Sequence, residues 1–183
     1  MAELPFSIDL IRALAENRTA LLTEVSLFFT FLGEIEGYVF LISLLYVTYD
    51  KKLAFRLAVL ALFAMSFNHV LKSLIMNPRP FLTQGEFMDR WAVSAAKAGE
   101  LATEYSTPSG HAMAGASFYS YVYATVKSRT ARVGCVMLIL LTGLSRPYLG
   151  VHYLEDVLIG WVLGLAIALF AIRYADRIST LWR

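Results

Sequence analysis

Six stretches of this chain are long, apolar and nearly free of charge: residues 19–33, 35–49, 53–76, 109–126, 133–149 and 157–172. A helix that crosses a bilayer needs about 20 mostly apolar residues, and fewer where flanking Lys or Arg side chains snorkel. So much apolar sequence cannot be hidden inside a soluble core of this size. Hydrophobic residues make up 58% of the chain and charged ones 16%, against about 45–50% and about 25% in soluble domains. The expected fold class is all-α: a single domain over residues 1–183, built as a polytopic transmembrane helical bundle of about six spans. The first two stretches are short and parted only by Gly33, Glu34, Ile35, Glu36 and Gly37, so they are either two tight spans or one re-entrant pair. Glu24, inside the first, reads as a snorkelling or packed acid.

Charge supplies the orientation. On a six-span layout Arg12, Arg18, Lys51, Lys52, Arg56, Lys127, Arg129, Arg132, Arg173, Arg177 and Arg183 all fall on one side. That side should be cytoplasmic by the positive-inside rule, with both termini on it. The long connection from Asn77 to Pro108 then lies outside, between spans three and four. It carries an amphipathic stretch, residues 85–105, with Trp91 suited to the headgroup level. Residues 6–14 have the spacing of a surface helix. A net charge of +2 with dispersed acids and bases gives no footprint for nucleic acid. The single cysteine, Cys135, reads as a packing residue, and Gly160 with Gly164 as a close helix contact.

Three polar strings interrupt the apolar pattern and map to the same side. They are KSLIMNPRP, with Lys72, Arg79 and Pro80; STPSGHA, with Pro108, Ser109, Gly110 and His111; and SRPYLGVHYLED, with Ser145, Arg146, His152 and Asp156. Cations gathered in one place repel unless an anion joins them, and phosphate suits such a set. His152 and Asp156 are four apart, so on one helix face the carboxylate can hold one imidazole nitrogen and leave the other free as a nucleophile. Ser109 and Gly110 sit where a helix should begin, with unpaired backbone N–H groups. His111 is placed to protonate a leaving oxygen.

These strings resemble the three signature motifs of the type 2 phosphatidic acid phosphatase superfamily, KxxxxxxRP, PSGH and SRxxxxxHxxxD, with every specified position matched. The resemblance implies a membrane lipid phosphatase whose site faces the extracytoplasmic side. Lys72, Arg79 and Arg146 would clamp the phosphoryl oxygens with help from Ser109 and the Gly110 amide. His152 would attack phosphorus to give a phosphohistidine, Asp156 would orient it, and His111 would act as general acid.

No cofactor or metal is expected, since Asp156 is committed to His152 and the cations supply charge stabilisation. The expected partners are a lipid phosphate or pyrophosphate and membrane lipids, and the expected location is the bacterial inner membrane. The sequence leaves the particular lipid and the oligomeric state open. Soluble vanadium haloperoxidases share the motifs but lack spans. A transporter would place its polar groups near the midplane rather than at helix ends.

Overall fold

The computed structural model describes residues 4–83 and 95–180. The helices are α1 (Asp9–Glu16), α2 (Ala20–Phe31), α3 (Ile35–Thr48), α4 (Lys51–Ile75), α5 (Pro80–Thr83), α6 (Ala95–Ala102), α7 (Gly110–Thr125), α8 (Arg129–Tyr148) and α9 (Leu154–Thr180). Among the described residues there is no strand. Four of these helices are capped at the N-terminus by the side chain of a Thr, Asp or Ser. Thr19 accepts from Leu22 N, Asp50 from Leu53 N, Ser109 from Ala112 N and Ser128 from Ala131 N. Each cap satisfies a backbone donor that the helix itself cannot.

The centre of the bundle is α7, packed against α9, α8 and α4. Every residue from Ala112 to Phe118 is buried, and the run is rich in Ala, Gly and Ser. In lipid, apolar burial gives little drive for helix association, because acyl chains are as apolar as Leu; close backbone approach does the holding. The α7–α9 seam shows this directly. A Cβ built on Gly164 would lie 2.2 Å from the Met113 carbonyl oxygen, and one on Gly160 would lie 2.8 Å from that of Ser109. The close-contact reading of these two glycines therefore holds. Tyr38, Leu57, Phe118 and Cys135 form the core on the other side of α7, with Tyr38 and Phe118 rings 5.1 Å apart. Val39, Phe40, Phe55, Leu62, Phe63, Val162 and Phe170 face outward as a lipid-contacting coat.

Two segments, Lys51–Leu82 and Leu154–Tyr174, are by themselves long and apolar enough to cross a membrane. α2 and α3 meet that condition only as a pair, bent by 62° at the intervening turn. The six separate spans expected from the sequence are thus not all present as such. α2 is only 12 residues long, and both its ends lie on the last two turns of α8. Tyr148 Oη lies 3.3 Å from Thr19 N, and Thr30 Oγ1 lies 3.1 Å from Ser145 Oγ. The open choice for the first two stretches therefore falls to a bent pair, with α2 laid across one end of the bundle. Glu24 is exposed on it rather than packed.

The hydrogen bonds of the first described residues place them at one end of the bundle. Arg18 Nε donates to the Tyr148 carbonyl at 2.9 Å, Ser7 N to Glu155 Oε1 at 3.1 Å, and Leu4 N to Asn77 Oδ1 at 3.0 Å. Residues 4–18, with Arg12 and Arg18, therefore sit at the end where α4 and α8 finish and α9 begins. α9 then runs 27 residues away from that end, so the chain's two described ends lie at opposite ends of the bundle. Lys51, Lys52, Arg56, Lys127, Arg129, Arg132 and Arg173 remain at the far end.

Of the long outer connection, α6 is described, and it lies over the same end. Its Lys97 Nζ is 3.3 Å from Glu34 Oε1 in the α2–α3 turn, and Leu101 is buried beside Phe81, Leu149 and Val151. Trp91 and residues 85–94 of the expected amphipathic stretch lie outside the described residues.

Candidate active site

Four helix ends, those that close α4 and α8 and those that open α7 and α9, converge with two turns at this end of the bundle. α4 stops at Met76, whose left-handed backbone (φ 52°) breaks the helix and turns the chain so that Arg79 points back inward. Gly150, with φ 77°, makes the turn after α8 that returns Val151 and His152 to the interior. A side chain is strained in that conformation, and glycine is not.

His152 is 1% exposed and Asp156 fully buried. His152 Nδ1 lies 3.3 Å from Asp156 Oδ2, as the four-residue spacing anticipated, although His152 itself sits in the turn before α9. The other nitrogen, Nε2, lies 3.2 Å from an Arg79 terminal nitrogen. A guanidinium can only donate, so Nε2 is the acceptor and the proton resides on Nδ1. The unprotonated nitrogen thus faces the cations. Burial first, then the charges of Arg79, Arg146 and Lys72, hold the His152 imidazole well below its ordinary range.

Asp156 is itself fully engaged. Ser106 Oγ and Tyr153 N donate to Oδ2, and Thr107 Oγ1 donates to Oδ1. Asn77 Nδ2 donates to Thr107 Oγ1 at 2.9 Å. A continuous line of hydrogen bonds therefore runs from Leu4 N through Asn77 and Thr107 to Asp156 and His152.

Arg79 is 1% exposed, with its Nη1 donating to the Val151 carbonyl and its Nε to the Glu104 carbonyl. Glu104 Oε2 joins Lys72 at 2.8 Å and Arg79 at 3.0 Å. Burial alone would push the Glu104 carboxyl up, but the Lys72 and Arg79 contacts outweigh it and hold the group below the usual carboxylate range. Arg146, 3% exposed, donates from Nη1 to Thr30 Oγ1 at 3.1 Å, and its Nε has no hydrogen-bond partner. Ser145 Oγ bonds the Thr142 carbonyl and the Thr30 hydroxyl. Ser109 caps α7, and Asn68 Nδ2 holds the Pro108 carbonyl at 3.0 Å. The Gly110 position is crowded by Asn68 Oδ1, 3.0 Å from where a Cβ would be. His111 stands on the first turn of α7 with Nε2 buried, unbonded, and 4.0 Å from Glu34 Oε1. His69 faces outward on α4, away from this group.

The residues singled out from the sequence, Lys72, Arg79, Ser109, Gly110, His111, Arg146, His152 and Asp156, are therefore brought to one end. Sequence reasoning did not assign Ser106, Thr107, Asn77, Asn68, Thr30, Glu34 or Glu104. Ser106 and Thr107 were legible only as the polar residues just before PSGH. Thr30 shows in the sequence as a lone polar residue within an apolar run, and Asn68 as part of the short polar interruption Ser66, Asn68 and His69. Taken together, buried cations with spare donors beside an unprotonated imidazole nitrogen suit the binding of a phosphoryl group and nucleophilic attack on it.

Comparison with known proteins gives concordant likenesses. Residues 53–179 match the PAP2 superfamily. An undecaprenyl-diphosphatase of Sulfolobus acidocaldarius is 25% identical over 169 residues, covering 92% of this chain and 78% of that protein. Among solved structures, a transmembrane PAP2-type phosphatidylglycerolphosphate phosphatase from Bacillus subtilis aligns with a TM-score of 0.73 at 26% identity, over 93% of this chain and 85% of that one. LpxE of Aquifex aeolicus, at 21% identity, shares the fold with a TM-score of 0.76 over 95% of this chain and 100% of its own.

Proposed function

The chain belongs to the PAP2 superfamily and is a membrane-bound lipid phosphatase, and from that premise we propose that it removes phosphate from a lipid monophosphate or diphosphate through a phosphohistidine on His152. The observation that carries this reading is the state of His152: Nδ1 held by Asp156, and Nε2 unprotonated and accepting from Arg79.

In the first step the Nε2 lone pair attacks phosphorus, the N–P bond forms and the P–O bond to the lipid breaks. Lys72, Arg79 and Arg146 take up charge on the phosphoryl oxygens, and the α7 N-terminus at Ser109 and Gly110 adds backbone donors. His111 gives its proton to the departing oxygen. Water then attacks the phosphohistidine, His111 takes the proton back, and inorganic phosphate leaves as the N–P bond breaks. Asp156 keeps Nδ1 protonated throughout. Fixed cations supply here what a divalent ion supplies to other phosphoryl-transfer sites, and the bonds already made to Asp156 leave its oxygens engaged. The step is therefore assigned no metal.

The site should open on the extracytoplasmic face, opposite the basic ends of α4 and α8. α3, α4, α7, α8 and α9 are assigned as the crossings, with α1 and α2 at the outer surface. Purified protein in detergent should release phosphate from at least one member of a panel that includes polyprenyl diphosphate, phosphatidylglycerol phosphate and phosphatidic acid, and EDTA should leave the rate unchanged. Release from none of them, or loss with EDTA and recovery with Mg²⁺, would overturn the assignment.

A further inference from the structure

Lys72 and Arg79 meet on one oxygen. Glu104 Oε2 lies at 2.8 and 3.0 Å from their nitrogens, the spacing at which each cation would hold a phosphoryl oxygen. The side chains of the two cations are 10% and 1% exposed, whereas that of Glu104 is 55% exposed. Its carboxylate therefore reaches into the clamp from the water side, from the turn that follows α6. Arg79 does not depend on that carboxylate for its position, since it also donates to the Glu104 backbone carbonyl and to the Val151 carbonyl. Glu104 can swing out and leave the guanidinium where it is.

We propose that Glu104 is a specificity-determining residue: a tethered anion that fills the Lys72–Arg79 clamp and yields only to a phosphoryl group carrying more than one negative charge. The inference rests on the phosphatase reading above and deepens it. A cationic site open to a membrane surface meets phosphodiester headgroups at high local density, each bearing a single charge. A carboxylate of equal charge already at the clamp competes with them intramolecularly, and a tether gives it a high effective concentration. A terminal phosphate, with its second ionisation near pH 6, carries close to two charges. It gains about twice the attraction from the same two cations and can displace Glu104, while a diester cannot.

The experiment compares the wild-type chain with Glu104→Gln in detergent. Hydrolysis of a short-chain lipid monophosphate is measured with short-chain phosphatidylglycerol as the diester competitor, and the melting temperature is measured with the diester alone. The diester should inhibit Glu104→Gln at least about tenfold more strongly than wild type, and should raise the melting temperature of the variant only. Should Glu104→Gln not survive purification, Glu104→Ala removes the same charge and is read in the same way. Equal or weaker inhibition of the variant, with equal melting shifts, overturns the filter. The melting measurement needs no turnover, so a chain that shows the selective shift but hydrolyses no lipid phosphate would refute the phosphatase reading and leave the filter standing.

Discussion

At His152 the two ring nitrogens have different neighbours, and at His111 the free nitrogen has none within hydrogen-bond reach. A nucleophile and a general acid respond differently to the leaving group. His152→Ala should lose activity on every substrate, p-nitrophenyl phosphate included, and Asp156→Asn should be severely impaired because the imidazole loses its tautomer. His111→Ala should lose roughly 10²–10⁴-fold on a lipid monophosphate, whose alkoxide needs a proton, and far less on the nitrophenyl ester. The reverse pattern would exchange the two roles. The direction of the His152 shift can be checked separately. A free imidazole is half protonated near pH 6.5, but burial and the surrounding cations lower the His152 value. Its ¹⁵N ring signals should therefore still be those of the neutral form at pH 6.5, and the acid limb of kcat/KM that belongs to it should lie below that pH. A half-protonated His152 at pH 6.5 would contradict this. Lys72, Arg79, Arg146, His152 and Asp156 were legible in the sequence because their spacing is local or repeats a known string. Glu104 and Glu34 were not, since their approach is made by chain segments that only the tertiary fold brings together.

Helices as elements were the most legible feature, because apolar length and a polar cap are both local signals. Their roles were less so. α2 has the composition of a membrane span, but it is long enough to cross only together with α3, and a 62° bend parts the two. Its polar Thr30 is bonded at the site end rather than buried midway across. The α7–α9 seam belongs to the same scale and makes a stability prediction. Even the Cβ of Gly164→Ala would meet the Met113 carbonyl oxygen and the Ala116 side chain, so the two helices must part, costing about 1–3 kcal/mol. Gly134→Ala on α8 meets nothing within 4 Å and serves as the control. Thermal unfolding in detergent should show a clear drop for the first and none for the second. Equal melting temperatures would mean that the seam is looser than the structure shows.

For the whole molecule, the proposed topology puts α1 and α2 on the same side of the membrane as the site. On a background in which buried Cys135 is replaced by Ala, Glu16→Cys should react with a membrane-impermeant thiol reagent in intact cells, and Lys52→Cys only after lysis. Labelling of Lys52→Cys alone would place the site on the cytoplasmic side, and equal labelling of both would refute the separation of the two ends. The positive-inside count is readable from the sequence only as far as the number of crossings is, and Arg12 and Arg18 change sides when α2 is not one of them. The hydrogen-bond line from Leu4 through Asn77 and Thr107 to Asp156 also bears on how the protein is handled at the bench. An affinity tag or fluorescent fusion on the N-terminus pulls at a segment that is hydrogen-bonded through to the nucleophile, whereas α9 leads away from the site to the far end. Fusion partners should therefore be interchangeable at the C-terminus and disruptive at the N-terminus, and a library of randomised leaders selected for activity should tolerate least change at the residues nearest Leu4.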